Sequence, residues 1–214
     1  QITQMKNTLL LLLLGASLTL SAQSDSRIYD IINAVSAERI QADITTLANF
    51  GTRHTLSDTV SETRGIGAAR RWIKSEFDKI SANCGNCLEV SFQRNFVPEG
   101  DNQRIVKDVD IVNVVAIQRG TKYPDRFIIM SGDIDSRISD PTNYTDDSPG
   151  ANDNASGMAG TIEAARVLSN YQFENSVVYL GLSGEEQGLY GGKGFAQYAK
   201  DNGWEIIGVF NNDM

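Results

Sequence analysis

Histidine occurs once in this 214-residue chain, as His54, and cysteine only twice, as Cys84 and Cys87. A zinc site of the Cys/His kind is thereby excluded, because two cysteines cannot close one alone and no other cysteine or nearby histidine joins them. Proline is scarce at four residues, and 41% hydrophobic against 21% charged residues suits a folded globular chain, not a disordered one. An excess of positive charge is also missing. With 19 Lys and Arg against 27 Asp and Glu, the net charge is −8. That argues against a nucleic-acid partner, which needs a basic surface, and against a polybasic membrane patch. Repeats and a clear linker are absent too, so the chain reads as one α/β domain.

The one long apolar run lies at the N-terminus. Met5 and Lys6 open it, Leu9 to Leu14 carry it, and Ser21-Ala22-Gln23 closes it with small residues. This is the pattern of an export signal cleaved after Ala22, and it is short for a membrane span. A buried N-terminal helix is the competing reading. No cysteine stands at the cleavage point to carry a lipid, so no stable membrane anchor is expected after cleavage. Residues 1–4 precede the start methionine and read as translated upstream sequence. The expected organisation is thus upstream residues plus signal at 1–22, and the N-terminal part of a single domain at 23–214. The expected location is periplasmic or secreted. In such an oxidising compartment Cys84-Gly-Asn-Cys87 reads first as a local disulfide, with a redox-active pair or two free thiols as alternatives.

Periodicity divides the rest. Ile28, Ile31, Ile32 and Val35, then Ile40, Ile44 and Leu47, predict two helices. Thr63 to Ser81 predicts a third, with Ile66, Ala69, Ile73 and Phe77 on its apolar stripe. Residues 88–97, Val112–Ile117, Phe127–Met130, Val177–Leu182 and Ile206–Phe210 read as strands, and 154–169 and 189–200 as helices. Strands alternating with helices predict helices packed on a mostly parallel sheet. Ligands of such sheets bind beyond the carboxyl ends of the strands. Three acidic motifs fall there: Ser-Gly-Asp133-Ile-Asp135-Ser, Ser-Gly-Glu185-Glu186 and Asn-Asn-Asp213-Met.

Taken singly, Asp135 or Asp153 could cap a helix or hold a turn, and a Glu-Glu pair is usually a solvated surface feature. Together they are carboxylates crowded at neighbouring strand ends. Such groups repel and raise one another's pKa unless divalent cations neutralise them.

PGANDNASG, SGEEQGLYGG and NNDM, in this order, resemble the co-catalytic zinc aminopeptidases of peptidase family M28. FGTRHT, AARRWI and NVVAIQRG resemble that family's N-terminal part, so the likeness covers roughly residues 40–214. It implies a three-layer α/β/α sandwich with a mixed, mostly parallel central sheet, of the zinc exopeptidase kind. It also implies two divalent metal ions, Zn²⁺ first, and a peptide substrate. Residue by residue, Asp153 matches the carboxylate bridging two metals, Glu186 a ligand of one metal and Asp213 a ligand of the other. Glu185 matches the general base that takes a proton from the attacking water and passes it to the leaving amine. Asp135 matches the carboxylate that orients the first metal-binding histidine.

The sequence departs from that pattern twice. Where the family has its first histidine, this chain has Asp133, so one half-site would be Asp133, Asp153 and Asp213, open to Mn²⁺, Mg²⁺ or Ca²⁺ as well as Zn²⁺. The family's last ligand is a histidine well beyond NNDM, whereas this chain stops at Met214. His54 matches no ligand position and reads as a hydrogen-bonding residue of its loop. The expectation is a C-terminally truncated, inactive piece of an exported exopeptidase, most simply an aminopeptidase. A non-catalytic binding domain of the same fold and a glutaminyl cyclase-like relative are the alternatives. An M20-type carboxypeptidase would place a histidine before its first aspartate. Zinc titration of the full-length protein should give two unequal steps, the weaker at the Asp133 half-site; two equally tight sites would contradict this.

Overall fold

A computed structural model describes residues 25–214; the export-signal reading of residues 1–22 lies outside the described residues. These fall into two compact units divided between Ala34 and Val35. The first contributes one described helix, α1 (Ser26–Ala34), with none of its residues buried. The second holds helices α2 (Ala37–Ala48), α3 (Gly65–Asn83), α4 (Gly157–Leu168) and α5 (Tyr190–Asp201). Its strands are β1 (Leu88–Val97), β2 (Val109–Gln118), β3 (Tyr123–Asp133), β4 (Asn175–Leu182) and β5 (Glu205–Asn212). Among the described residues no helix is long and apolar enough to cross a membrane.

The five strands form one sheet in the order β1-β2-β4-β3-β5. β3 pairs in parallel with both β4 and β5, while β2 runs antiparallel to β1 and to β4. Four strands therefore share one direction and β2 alone opposes them, which makes the sheet mixed and mostly parallel, as expected. The hydrophobic run of β2 is buried on both faces, so its sequence looks like that of any central strand and hides its direction.

Alternate residues of the strands feed two cores. Val114, Ala116, Val177 and Tyr179 meet Ile66, Ile73, Phe77, Met158 and Ile162 from α3 and α4. On the opposite face Val115, Ile117, Phe127, Ile129, Val178 and Leu180 pack with Phe195 of α5. Trp204, leading into β5, stacks on Phe127 with ring centroids 4.0 Å apart and meets Phe195 edge-on at 5.7 Å. Each side chain fully buried in this way contributes roughly 2 kcal/mol.

An ion network holds α2, α3 and α4 together. Arg166 of α4 donates to Asp43 of α2 at 2.5 and 3.1 Å and to Glu76 of α3 at 2.9 Å. Buried Glu163 accepts from the Ser36 amide, at the start of α2, at 2.8 Å, and from Arg39. Burial keeps the Asp43 carboxyl above its usual range despite Arg166; burial also presses on Glu163, but the Arg39 hydrogen bonds hold it below. At the end of α3 a disulfide joins Cys84 to Cys87, the first of the readings open at the sequence level. Ser81 Oγ spans the same corner, donating to Leu88 O at 2.9 Å and accepting from its N–H at 3.1 Å.

β5, like the other edge strand β1, departs from the double-sided burial. As an edge strand it leaves Ile206, Ile207, Val209 and Phe210 exposed, the last two by 57% and 62%. An exposed apolar edge invites pairing with another chain. In sedimentation velocity the 214-residue chain should self-associate, and the double change Ile207→Lys, Phe210→Lys should shift it toward monomer. Arg166→Met strips Asp43 of its only ion-pair partner among the described residues; urea unfolding at neutral pH should register a loss of about 3 kcal/mol. Adding Asp43→Leu should recover most of it.

Candidate metal centre

Register puts the acidic motifs side by side. Asp133, the last residue of β3, stands opposite Leu182, the last of β4, and Gly132 stands opposite Asn212, the last of β5. Because these three strands are parallel, Asp133, the Ser183-Gly184-Glu185-Glu186 turn and Asp213 leave the sheet at one rim. Gly184, with φ of +74°, turns the chain out of β4 in a conformation that other residues adopt at a cost.

The fourth motif reaches the rim through Asn154. An irregular turn, Ala151–Ser156, precedes α4 and includes a cis peptide between Asp153 and Asn154. The Asn154 amide donates to Asn212 O at 2.7 Å and to Asp133 Oδ2 at 3.3 Å, and its carbonyl accepts from Gly157 N–H at 3.2 Å. One buried side chain thus ties three motifs together. Gly157 allows the contact, since a Cβ there would lie 2.1 Å from Asn212 O.

Asp135 lies wholly inside. It accepts from Thr55 Oγ1 at 2.8 Å and from the backbone amides of Glu185 and Glu186, each at 3.2 Å. Burial raises its pKa, and those hydrogen bonds oppose the rise. Arg53, 1% exposed, spends its guanidinium on carbonyls: Ile134 at 2.8 Å, Leu47 at 3.1 Å, Pro149 at 2.6 Å and Gly150 at 2.8 Å. Burial pushes it down to about 10, against the favourable charges of Asp135 and Asp153. His54 is buried as well. Its Nδ1 accepts from Leu56 N–H at 3.1 Å, leaving Nε2 to donate to Pro141 O at 3.0 Å. Both ring nitrogens are engaged within the loop region, in keeping with a structural role.

Asp133, Glu185 and Asp213 line one cavity of about 430 Å³, whose other walls include Leu182, Leu189, Ala196 and Val209. Burial first, and then Asp135, Glu185 and Asp213, raise Asp133 to about 7. Glu185 is also raised to about 7, by burial and by Asp135, Glu186, Asp213 and Asp153. Glu186 turns elsewhere, its carboxylate accepting from Arg137 Nε at 2.5 Å, while burial still raises it. Asp153 is exposed at the turn and does not line the cavity. Among the described residues no three His, Cys, Asp or Glu side chains are gathered closely enough to hold a metal ion. The donor set, oxygens of one sign, nonetheless suits a hard divalent cation, which would relieve the crowding that raises Asp133 and Glu185.

Sequence reasoning placed Asp133, Asp135, Glu185 and Asp213 in one region. It missed Arg53, Thr55, Asn154 and Arg137, the residues that hold or compete for those carboxylates. Arg53 and Thr55 sit in the FGTRHT string and Asn154 in PGANDNASG, where the motif was visible but the partners were not. Arg137 had no signal beyond following SGDIDS.

Residues 113–214 match the family model described as peptidase family M28. A probable zinc metalloprotease of Pyrenophora tritici-repentis is 44% identical over 190 residues, covering 89% of this chain and 39% of that relative. One from Pyricularia oryzae is 43% identical over 196 residues, covering 91% and 39%. The chain thus spans about two fifths of the length of these curated relatives. Among solved structures, the LapA aminopeptidase of Legionella pneumophila superposes with a TM-score of 0.69 at 19% identity, covering 91% of this chain and 46% of that one. A glutaminyl cyclase of Porphyromonas gingivalis does so with 0.64 at 19%, covering 85% and 60%. The fold is therefore shared by a peptidase and a cyclase, while the sequence match over residues 113–214 is to peptidase family M28.

Proposed function

We propose that the protein is an exported, metal-dependent exopeptidase that removes N-terminal residues from peptides, with Glu185 as its general base. Glu185 carries this reading. Among the described residues no hydrogen bond or ion pair holds its carboxylate, it shares a cavity with Asp133 and Asp213, and burial with its acidic neighbours brings it to about 7. A base poised near neutral pH is what proton transfer from water requires. The apolar walls of the cavity suit a peptide side chain. The names of the relatives support zinc, and the Cys84–Cys87 disulfide supports an oxidising destination.

Asp133, Asp153 and Asp213 would hold one ion and Asp153 with Glu186 a second. A divalent cation there supplies Lewis-acid polarisation of the scissile carbonyl and a more acidic water. Glu185 accepts the proton of the attacking water on its carboxylate and delivers it to the leaving amine. Asp135 fixes the turn through the Glu185 and Glu186 amides, so the base keeps its place while its proton moves. Glu186 gives one carboxylate oxygen to Arg137 Nε, so the other would serve a metal or both would after the pair parts. That ion pair supports a second reading, a binding domain of the same fold without catalysis.

Full-length protein should hydrolyse aminoacyl-anilides, lose the activity to a chelator and regain it with zinc. Glu185→Gln should lower kcat by about 10²–10⁴-fold with metal content unchanged. Cyclisation of a glutaminyl peptide in place of hydrolysis would move the assignment to the cyclases. Absence of chelator-sensitive turnover on amino-terminal, carboxy-terminal and dipeptide substrates would leave the binding domain. Asp135→Asn keeps an oxygen for one of the two backbone N–H groups and sets an amide donor against the other; it should cost about 2 kcal/mol in urea unfolding and lower kcat with it.

A further inference from the structure

A second cavity, among the described residues, is larger than the acidic one. It measures about 770 Å³ and is walled by Arg64, Arg70, Arg94 and Lys107, with Tyr144 and several hydroxyls between them. Arg70, on α3, is only 9% exposed, and among the described residues no hydrogen bond or ion pair engages its guanidinium. Its nearest charges are unfavourable: burial and then Arg94 and Arg71 disfavour its protonated form, and Asp110 alone favours it. Arg94 likewise has no ion pair. The Lys107 ammonium lies over the Tyr144 ring, 4.0 Å from its centroid, with no carboxylate in ion-pair contact.

Among the described residues no acid of the wall forms an ion pair with Arg70, Arg94 or Lys107. Asp58 accepts from the Val60 and Ser61 amides at 2.6 and 3.0 Å, and Asp108 from the Glu99 amide at 2.9 Å. Arg64 alone is matched, by Asp147 at 2.7 Å. In a chain with 27 acidic residues against 19 basic ones, a buried arginine facing other cations is a costly arrangement. A bound anion removes that cost, and a guanidinium fork fits a planar carboxylate through two parallel hydrogen bonds.

We propose that this cavity is a carboxylate-binding site, with Arg70 at its base and Arg94 and Lys107 at its mouth, that takes a carboxylate borne on a peptide. The site is separate from the acidic cavity but shares a wall residue with its supports, because Thr55 lines it and donates to Asp135. The proposal does not depend on the peptidase reading, since occupancy is measured directly.

Calorimetric titration of the full-length protein with an N-acetylated tripeptide of neutral side chains tests it. Three probes separate the sources: the free acid, its C-terminal amide, and the amide carrying one aspartate. Saturable binding of the free acid or of the aspartyl amide, and not of the neutral amide, is expected and identifies which carboxylate is taken. Arg94→Gln and Lys107→Gln change exposed or half-buried side chains and should each weaken binding, together by at least about tenfold. Arg70→Met should abolish it while leaving the ligand-free protein as stable to urea as the parent or more so, because an uncompensated charge has gone. Equal binding of acid and neutral amide, no binding into the tens of millimolar, tighter binding of inorganic phosphate, or indifference to the Arg94 and Lys107 changes would each overturn the assignment.

Discussion

The acidic rim depends on one buried carboxylate. Asp135 accepts the amides of Glu185 and Glu186 and the hydroxyl of Thr55, so a group from one motif fixes the backbone of a second and the loop of a third. An aspartate buried this deeply is tolerable only because hydrogen bonds replace its lost water. Arg53 complements it from the other side, drawing Ile134, Leu47, Pro149 and Gly150 around a single guanidinium and so setting the approach to the Asp153 turn. The surface carboxylates can repel one another without unravelling the rim because neither of these supports is itself at the surface.

Asp133 takes its character from the same geometry. It ends β3 between β4 and β5, bonded by Asn154 and pressed by Asp135, Glu185 and Asp213. A histidine there could be neutral and still donate a lone pair. An aspartate must be either charged among like charges or protonated and a weaker ligand. The substitution therefore alters which cations the rim suits, in favour of hard ions, more than it alters the shape of the rim.

Much of this was legible in the sequence because local pattern and burial agree. The stripes of α3 and α4 name the residues that face the sheet, and the short apolar runs of β3 and β4 place the Asp and Glu motifs at strand ends. What stayed hidden was relational. β2 carries hydrophobic residues on both faces, a pattern identical for either direction, so its reversal left no mark. Glu186 and Arg137 are far apart in sequence, and no periodicity announces that they pair. Arg70 lies off the apolar stripe of α3, and nothing in that spacing shows that its side chain is enclosed. The exposed apolar residues of β5 left no mark either, since Ile206 to Phe210 reads as a strand and only the sheet order puts it at an edge among the described residues.

The reversed direction of β2 has a kinetic consequence. Antiparallel β1 and β2 are consecutive in the chain and close over a short connection, so their contacts are local. Every pairing that builds the rim, β3 with β4 and β3 with β5, joins strands separated by a helix or more. Loop-closure entropy delays such pairings until much of the chain is ordered. The carboxylates consequently meet last, on a scaffold already fixed beneath them, and their mutual repulsion does not oppose the early steps of folding.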